Sequence, residues 1–267
     1  MRPLNIAAHV RPRRLRIYNV GCPKTGTTTV PRMFADYRAG HEWAALQFLP
    51  IATAVLTGEL RADAPRARRA LRYRSLRYHM EIDAANFLTP VAGTLANLYP
   101  DAKFVLTVRD CFTWLDSRIA QDVRYSAQPN AIWGAYLDSL YNQVDGGFAP
   151  EESALEEMGV RSIRSYLSLW NRFTQPVIDA IEPDRLLVLR TEDLNHSAGE
   201  LARFAGVPPA TIAPTHANRR PKPHPLLAEV PRDFVVERCR EQCSSLMERY
   251  WGADWHELAD RLPQPSR

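Results

Sequence analysis

Four apolar, β-branched runs punctuate the chain, at residues 15–20, about 78–82, 103–108 and 185–189, and each has the length and composition of a buried strand. Longer segments with apolar positions three and four apart separate them, the spacing of helices that cover one face of a sheet. Strands alternating with helices predict an α/β fold, a parallel central sheet flanked by helices, with ligands bound beyond the carboxyl ends of the strands. Between residues 130 and 181 the pattern is helical with little strand character, so a helical insertion is expected there, placed to wall a pocket. The stretch "VPPATIAPTHANRRPKPHPLLAEVPR", residues 207–232, holds too much proline for a helix or a central strand and reads as an ordered basic loop. "VVERCREQCSSLMERYWG" reads as a closing amphipathic helix, and no internal repeat appears.

A chain of 267 residues fits one domain spanning 1–267, with a flexible basic segment at 1–14. The longest apolar stretch, "ALQFLPIATAVLTG", falls short of the roughly 20 residues that a membrane helix needs. The arginine-rich start lacks the apolar block of a secretory signal, so a cytoplasmic protein without a membrane partner is expected. Four cysteines, Cys22, Cys111, Cys239 and Cys243, follow neither zinc nor redox spacing and suit a reducing compartment. A net charge of +4 fits an anionic ligand without calling for nucleic acid, and leaves self-association open.

The segment "VGCPKTGTTTV", residues 20–30, follows the first strand and carries the candidate chemistry. Gly21, Gly26, Thr27 and Thr28 match a phosphate loop, Gly-x4-Gly followed by a variable position and a hydroxyl residue, at a strand-to-helix turn where backbone N–H groups form an anion nest. The lysine is displaced: Thr27 stands where a kinase has lysine, and Lys24 lies inside the loop. A nucleoside triphosphate also needs a metal, usually held by an acid ending a second strand. Here "KFVLTVRD" puts Arg109 at that rim, where it would repel Mg²⁺ and attract a second phosphate. A metal-free ligand with two separated phosphate-like groups is expected. Cys22 does not make the loop a cysteine phosphatase, because the arginine needed six positions on is Thr28.

These two motifs resemble those of the sulfotransferases that use 3′-phosphoadenosine 5′-phosphosulfate (PAPS), a family with a P-loop-like fold. "PKTGTTT" is similar to their 5′-phosphosulfate loop, and "VRDCFTWLDSR" to their 3′-phosphate element, in which a serine follows an arginine by eight positions, as Ser117 follows Arg109. "RTEDL" resembles a strand-end motif of the family, and "HANRRPKP" its late basic loop, while a tryptophan common after the phosphate loop is missing, with Val30 nearby. The resemblance implies a bacterial type of PAPS-dependent sulfotransferase that needs no metal, acts on a small-molecule or glycan hydroxyl and releases 3′-phosphoadenosine 5′-phosphate. It further implies that Pro23, Lys24, Thr25, Gly26, Thr27, Thr28 and Thr29 hold the 5′-phosphate, that Arg109 and Ser117 hold the 3′-phosphate, and that Asn218, Arg219, Arg220 and Lys222 close over both. Lys24 would neutralise the departing oxygen.

One branch of the family uses a glutamate after the phosphate loop as base, and "AGHEW" offers Glu42, with His41 second. For Glu42 to serve, the first helix must end near Ala35 and the chain must turn back to the sheet rim through Gly40. A third choice is the strand-end group His79, Glu81 and Asp83 in "YHMEID". Trp43, Phe48, Trp114, Trp133 and Tyr136 fit an aromatic pocket or plain core equally well. The arginine run at 66–79 reads as an exposed helix face, with docking of an anionic acceptor or carrier protein as the sharper reading. A P-loop kinase and a non-catalytic nucleotide-binding scaffold stand as the alternatives.

Overall fold

The computed structural model describes residues 12–124, 130–141, 147–215 and 225–263. Strands β1 (Ile17–Val20), β2 (Ala39–His41), β3 (Ile82–Ala84), β4 (Lys103–Val108) and β5 (Leu186–Arg190) form one five-stranded sheet in the order β2-β3-β1-β4-β5. Every pairing is parallel, with Ile17 level with both Ile82 and Lys103. Among the described residues the helices are α1 (Thr29–Met33), α2 (Ala45–Leu56), α3 (Pro65–Tyr78), α4 (Ala92–Leu98), α5 (Cys111–Arg124), α6 (Ala131–Ser139), α7 (Ser153–Glu157), α8 (Ile163–Arg172), α9 (Gln175–Ala180), α10 (Ala198–Ala205) and α11 (Arg232–Trp251).

Side-chain alternation along the strands divides the core. Tyr18, Val20, Phe104, Leu106 and Val108 face a large layer that holds Trp114, Trp170 and Met247 of α5, α8 and α11. Ile17 and Val105 face a smaller layer under α1 and α10, with Val30, Phe34 and Leu201. Being buried on both faces, β1 and β4 read as continuous apolar runs, which is why they are visible in the sequence. The chain runs from β1 to the edge strand β2, returns through β3, and then crosses to β4 and β5. The strand order therefore reverses at β1, where open α/β sheets form their ligand crevice.

Two expectations need correction. Residues 78–81 are not a strand: Tyr78 ends α3, His79 stops the helix in a left-handed conformation (φ 50°), and β3 begins at Ile82. The helical spacing of Ala67, Leu71 and Arg74, all turned inward, carries α3 through this segment. The arginine run is accordingly helical, and Arg66, Arg69 and Arg72 are exposed. Arg74 is not: it is buried, forks onto Asp83 with bonds of 2.8 and 2.6 Å, and donates to the Trp43 carbonyl at 2.7 Å. β2, only three residues long, was not foreseen. Among the described residues no helix is long and apolar enough to cross a membrane.

Candidate functional site

The phosphate loop leaves the carboxyl end of β1, and its glycines are required by close packing. A Cβ on Gly21 (φ 145°) would lie 2.6 Å from the Thr107 carbonyl oxygen, and one on Gly26 (φ 101°) would lie 2.5 Å from Leu194 Cδ1. Surrounding elements tie the loop down. Thr89 Oγ1 accepts the Gly21 N–H at 3.0 Å, Thr25 Oγ1 donates to the Cys22 carbonyl at 2.7 Å, and Trp114 Nε1 of α5 donates to the Pro23 carbonyl at 2.7 Å. Thr191, just after β5, bonds the carbonyls of Thr25 and Val108 at 2.6 and 2.8 Å. Among the described residues, the N–H groups of Lys24, Gly26 and Thr27 donate to no acceptor. Free backbone donors gathered at the entry to α1 make a nest with the chemistry to hold an anion.

Charge reinforces the nest. Lys24, itself left-handed (φ 73°), is half-buried, and its ammonium pKa is lowered first by burial and then by repulsion from Arg109, Arg118 and Arg124. Lys24 and Arg109, on different loops, are thus near enough for their charges to interact. Arg118 is committed elsewhere, to Asp122 at 2.8 Å and the Tyr141 hydroxyl at 2.9 Å. Arg109 Nε donates to Thr113 Oγ1 at 3.0 Å, while Asp110 Oδ1 accepts the Thr113 N–H at 2.9 Å at the start of α5. Ser117 lies further along α5, buried, and its Oγ has no hydrogen-bond partner among the described residues. An orphaned hydroxyl of this kind fits a phosphate oxygen as its missing partner. Cys22 is fully buried and its thiol is pushed well up by desolvation, so it is no nucleophile. Asn218, Arg219, Arg220 and Lys222 lie outside the described residues.

The third corner comes from β2 and β3. After Phe34 the chain turns back to the sheet as β2, which pairs with β3, and the Glu42 N–H donates to the Ala84 carbonyl at 2.7 Å. His41 Nε2 lies 3.2 Å from Thr27 Oγ1 and so joins β2 to the phosphate loop, while its distance to Glu42 Oε1 is 3.9 Å. Burial raises the Glu42 carboxyl to about 7 against a lesser opposing hydrogen bond from Asn86. Burial, with Arg32 nearby, lowers the His41 imidazole to about 4. At neutral pH, then, a neutral imidazole meets the loop, next to a carboxyl whose pKa is raised to about 7.

His79, Glu81 and Asp83 do not join this rim. Glu81 precedes β3, at the opposite edge of the sheet, where it accepts the backbone N–H groups of Arg14 and Arg38, each at 2.9 Å. Burial alone would raise its pKa, but the bonds from Arg14 and Arg38 outweigh that and hold it at about 2. Asp83 is taken by Arg74, and His79 caps α3. Of the aromatic candidates, Phe48, Trp114 and Tyr136 are buried, Trp43 is 42% exposed, and Trp133 meets Tyr136 edge-on at 6.0 Å. Sequence reasoning missed Asn86, Thr89 and Thr191. Asn86 and Thr89 follow β3, which the apolar pattern ends two residues early, at 82; Thr191 lies in "RTEDL".

A family model described as a sulfotransferase domain matches residues 16–222. Among solved structures, a sulfotransferase from Alicyclobacillus acidocaldarius is similar at a TM-score of 0.53 and 15% identity, covering 91% of this chain and 98% of that one, a likeness of fold. The sulfotransferase STF9 from Mycobacterium avium aligns at a TM-score of 0.47 and 12% identity over 98% of this chain and 81% of that one. No curated protein matches the sequence.

Proposed function

Since the chain belongs to the sulfotransferase family, we propose that it transfers a sulfuryl group from PAPS to a hydroxyl of a small-molecule or glycan acceptor. What supports this reading is two candidate anion-binding corners after the carboxyl ends of β1 and β4. One is the nest of Lys24, Gly26 and Thr27 N–H groups with the Lys24 ammonium; the other is Arg109 with the orphaned Ser117 hydroxyl. They suit the 5′- and 3′-phosphates of one bisphosphorylated adenosine. Arginine at the end of β4, where a nucleotide kinase has a metal-holding acid, favours this donor over Mg-ATP.

PAPS supplies an activated sulfuryl group on a phosphate oxygen that becomes charged as its bond to sulfur breaks. The nest, with the hydroxyls of Thr28 and Thr29, holds the 5′-phosphate. Lys24 neutralises the departing oxygen, and Arg109 and Ser117 anchor the far end of the donor so that sulfur meets the acceptor in line. Glu42 takes the proton of the acceptor hydroxyl as that oxygen bonds sulfur. The neutral His41 holds the Thr27 side chain; its low basicity makes it the weaker base of the two. The four free, buried thiols suit a reducing cytoplasm.

Transfer of ³⁵S from labelled PAPS to a panel of phenols and sugars tests the reading. Label should move to at least one acceptor with EDTA present, and Lys24→Ala should slow transfer by at least about 10²-fold, the effect of losing one oxyanion donor. Transfer that Lys24→Ala leaves intact would refute the role of that residue.

A further inference from the structure

Glu42 does not stand alone at the rim. Asn86, the second residue after β3, donates from Nδ2 to Glu42 Oε1 at 2.5 Å, and the Tyr136 hydroxyl donates to Asn86 Oδ1 at 2.5 Å. Asn86 and Tyr136 are both buried. His41 also faces Oε1, whereas Glu42 Oε2 has no hydrogen bond among the described residues. One carboxylate oxygen is therefore pinned and the other is open.

The direction of each bond follows from chemistry. A Tyr136 phenol donates only while protonated; burial, then the Glu42 charge, raise its pKa well above the ordinary value and keep it so. With Oδ1 occupied by that donor, the Asn86 amide can turn only its NH₂ toward Glu42. The flipped amide would set carbonyl against carboxylate, two acceptors in a buried space. Tyr136 sits on α6, which packs against α2 just beyond Glu42, and Trp133, one turn earlier, lies against the Tyr136 ring. Among the described residues, the titratable groups that interact with Glu42 are His41 from β2 and, across Asn86, Tyr136 from α6.

We propose that Asn86, locked by Tyr136, is the positioning residue of Glu42: it fixes Oε1 and leaves Oε2 aimed at the acceptor hydroxyl. This rests on the sulfuryl-transfer reading with Glu42 as base. It makes α6 more than a wall, because whatever shifts that helix also shifts the base. Neither residue belongs to the two proposed phosphate corners, so their loss is expected to leave donor binding alone.

The test compares wild type with Asn86→Ala, Tyr136→Phe and Glu42→Gln in the ³⁵S transfer assay across pH, alongside a ¹³C NMR titration of the Glu42 side-chain carboxyl, assigned by its disappearance in Glu42→Gln. Asn86→Ala removes a hydrogen bond to the ionised form. It should move both the ascending limb of kcat and the Glu42 titration upward by about half a pH unit or more, and lower kcat roughly tenfold or more through misalignment. The KM for PAPS should stay within twofold in Asn86→Ala and Tyr136→Phe. Tyr136→Phe, nearly isosteric and expected to fold if Asn86→Ala does not, should shift both in the same direction by less. If Glu42→Gln abolishes transfer but neither Asn86→Ala nor Tyr136→Phe moves the limb, the positioning role is overturned and the base survives. If Glu42→Gln transfers normally, the base assignment falls and the positioning role falls with it.

Discussion

Trp114 Nε1 donates a 2.7 Å hydrogen bond to the Pro23 carbonyl, and so ties α5, which carries Ser117, to the loop that carries Lys24. On the proposed reading, this bond helps to set the spacing between the two phosphate corners. Trp114→Phe keeps most of the buried ring but removes the donor, at a cost of about 1 kcal/mol. Affinity for 3′-phosphoadenosine 5′-phosphate should fall about fivefold; calorimetry with an unchanged Kd would show that the bond does not set the spacing.

The two candidate bases differ in where they titrate. Glu42 accepts a proton only when ionised, so kcat should rise with pH through about 7. If His41 were the base, the rise would lie near 4, and activity would be flat across neutrality. A pH–rate profile between 4 and 9 separates them, and Glu42→Gln should remove the limb with the activity.

The Arg74–Asp83 pair joins the helix α3 to the short strand β3 inside the protein. Breaking one side strands a buried charge, so Arg74→Ala should cost about 3–5 kcal/mol of stability. The double change Arg74→Met with Asp83→Leu should cost markedly less, since both charges leave together. Denaturant melts that rank the two alike would contradict the pairing.

Glu81 links stability to acid. Its carboxyl is held at about 2 in the fold, below the ordinary value of 4.5. The unfolded chain therefore takes up the proton first, and the stabilisation, complete above that ordinary value, drains away as pH falls from about 4.5 toward 2. Glu81→Gln should flatten the stability–pH curve in this window and leave its slope above pH 5 unchanged; a curve as steep as wild type would place the acid sensitivity elsewhere.

What could be read from the chain depended on how local each feature is. Gly21, Lys24 and Gly26 occupy one contiguous loop after a doubly buried strand, and Arg109 follows another, so residue type and spacing alone mark them as candidates. Glu42, Asn86 and Tyr136 are 44 and 50 residues apart in successive steps and meet because β2 and β3 are neighbours in the sheet and α6 packs on α2. β2 escaped notice because three half-buried residues, "AGH", carry no β-branched side chain and no alternation. The inward turn of Arg74 was hidden by its composition: a run of arginines looks solvated until a buried carboxylate is seen beside one of them.

The central claim is that one rim of the sheet holds both phosphates of a bisphosphorylated adenosine without a metal. Isothermal titration of the wild-type protein with 3′-phosphoadenosine 5′-phosphate in EDTA, set against ATP with Mg²⁺, addresses it directly. Micromolar or tighter metal-free binding of the bisphosphate, weakened by Arg109→Ala, is the expected result; preference for Mg-ATP, or binding indifferent to Arg109, would contradict it.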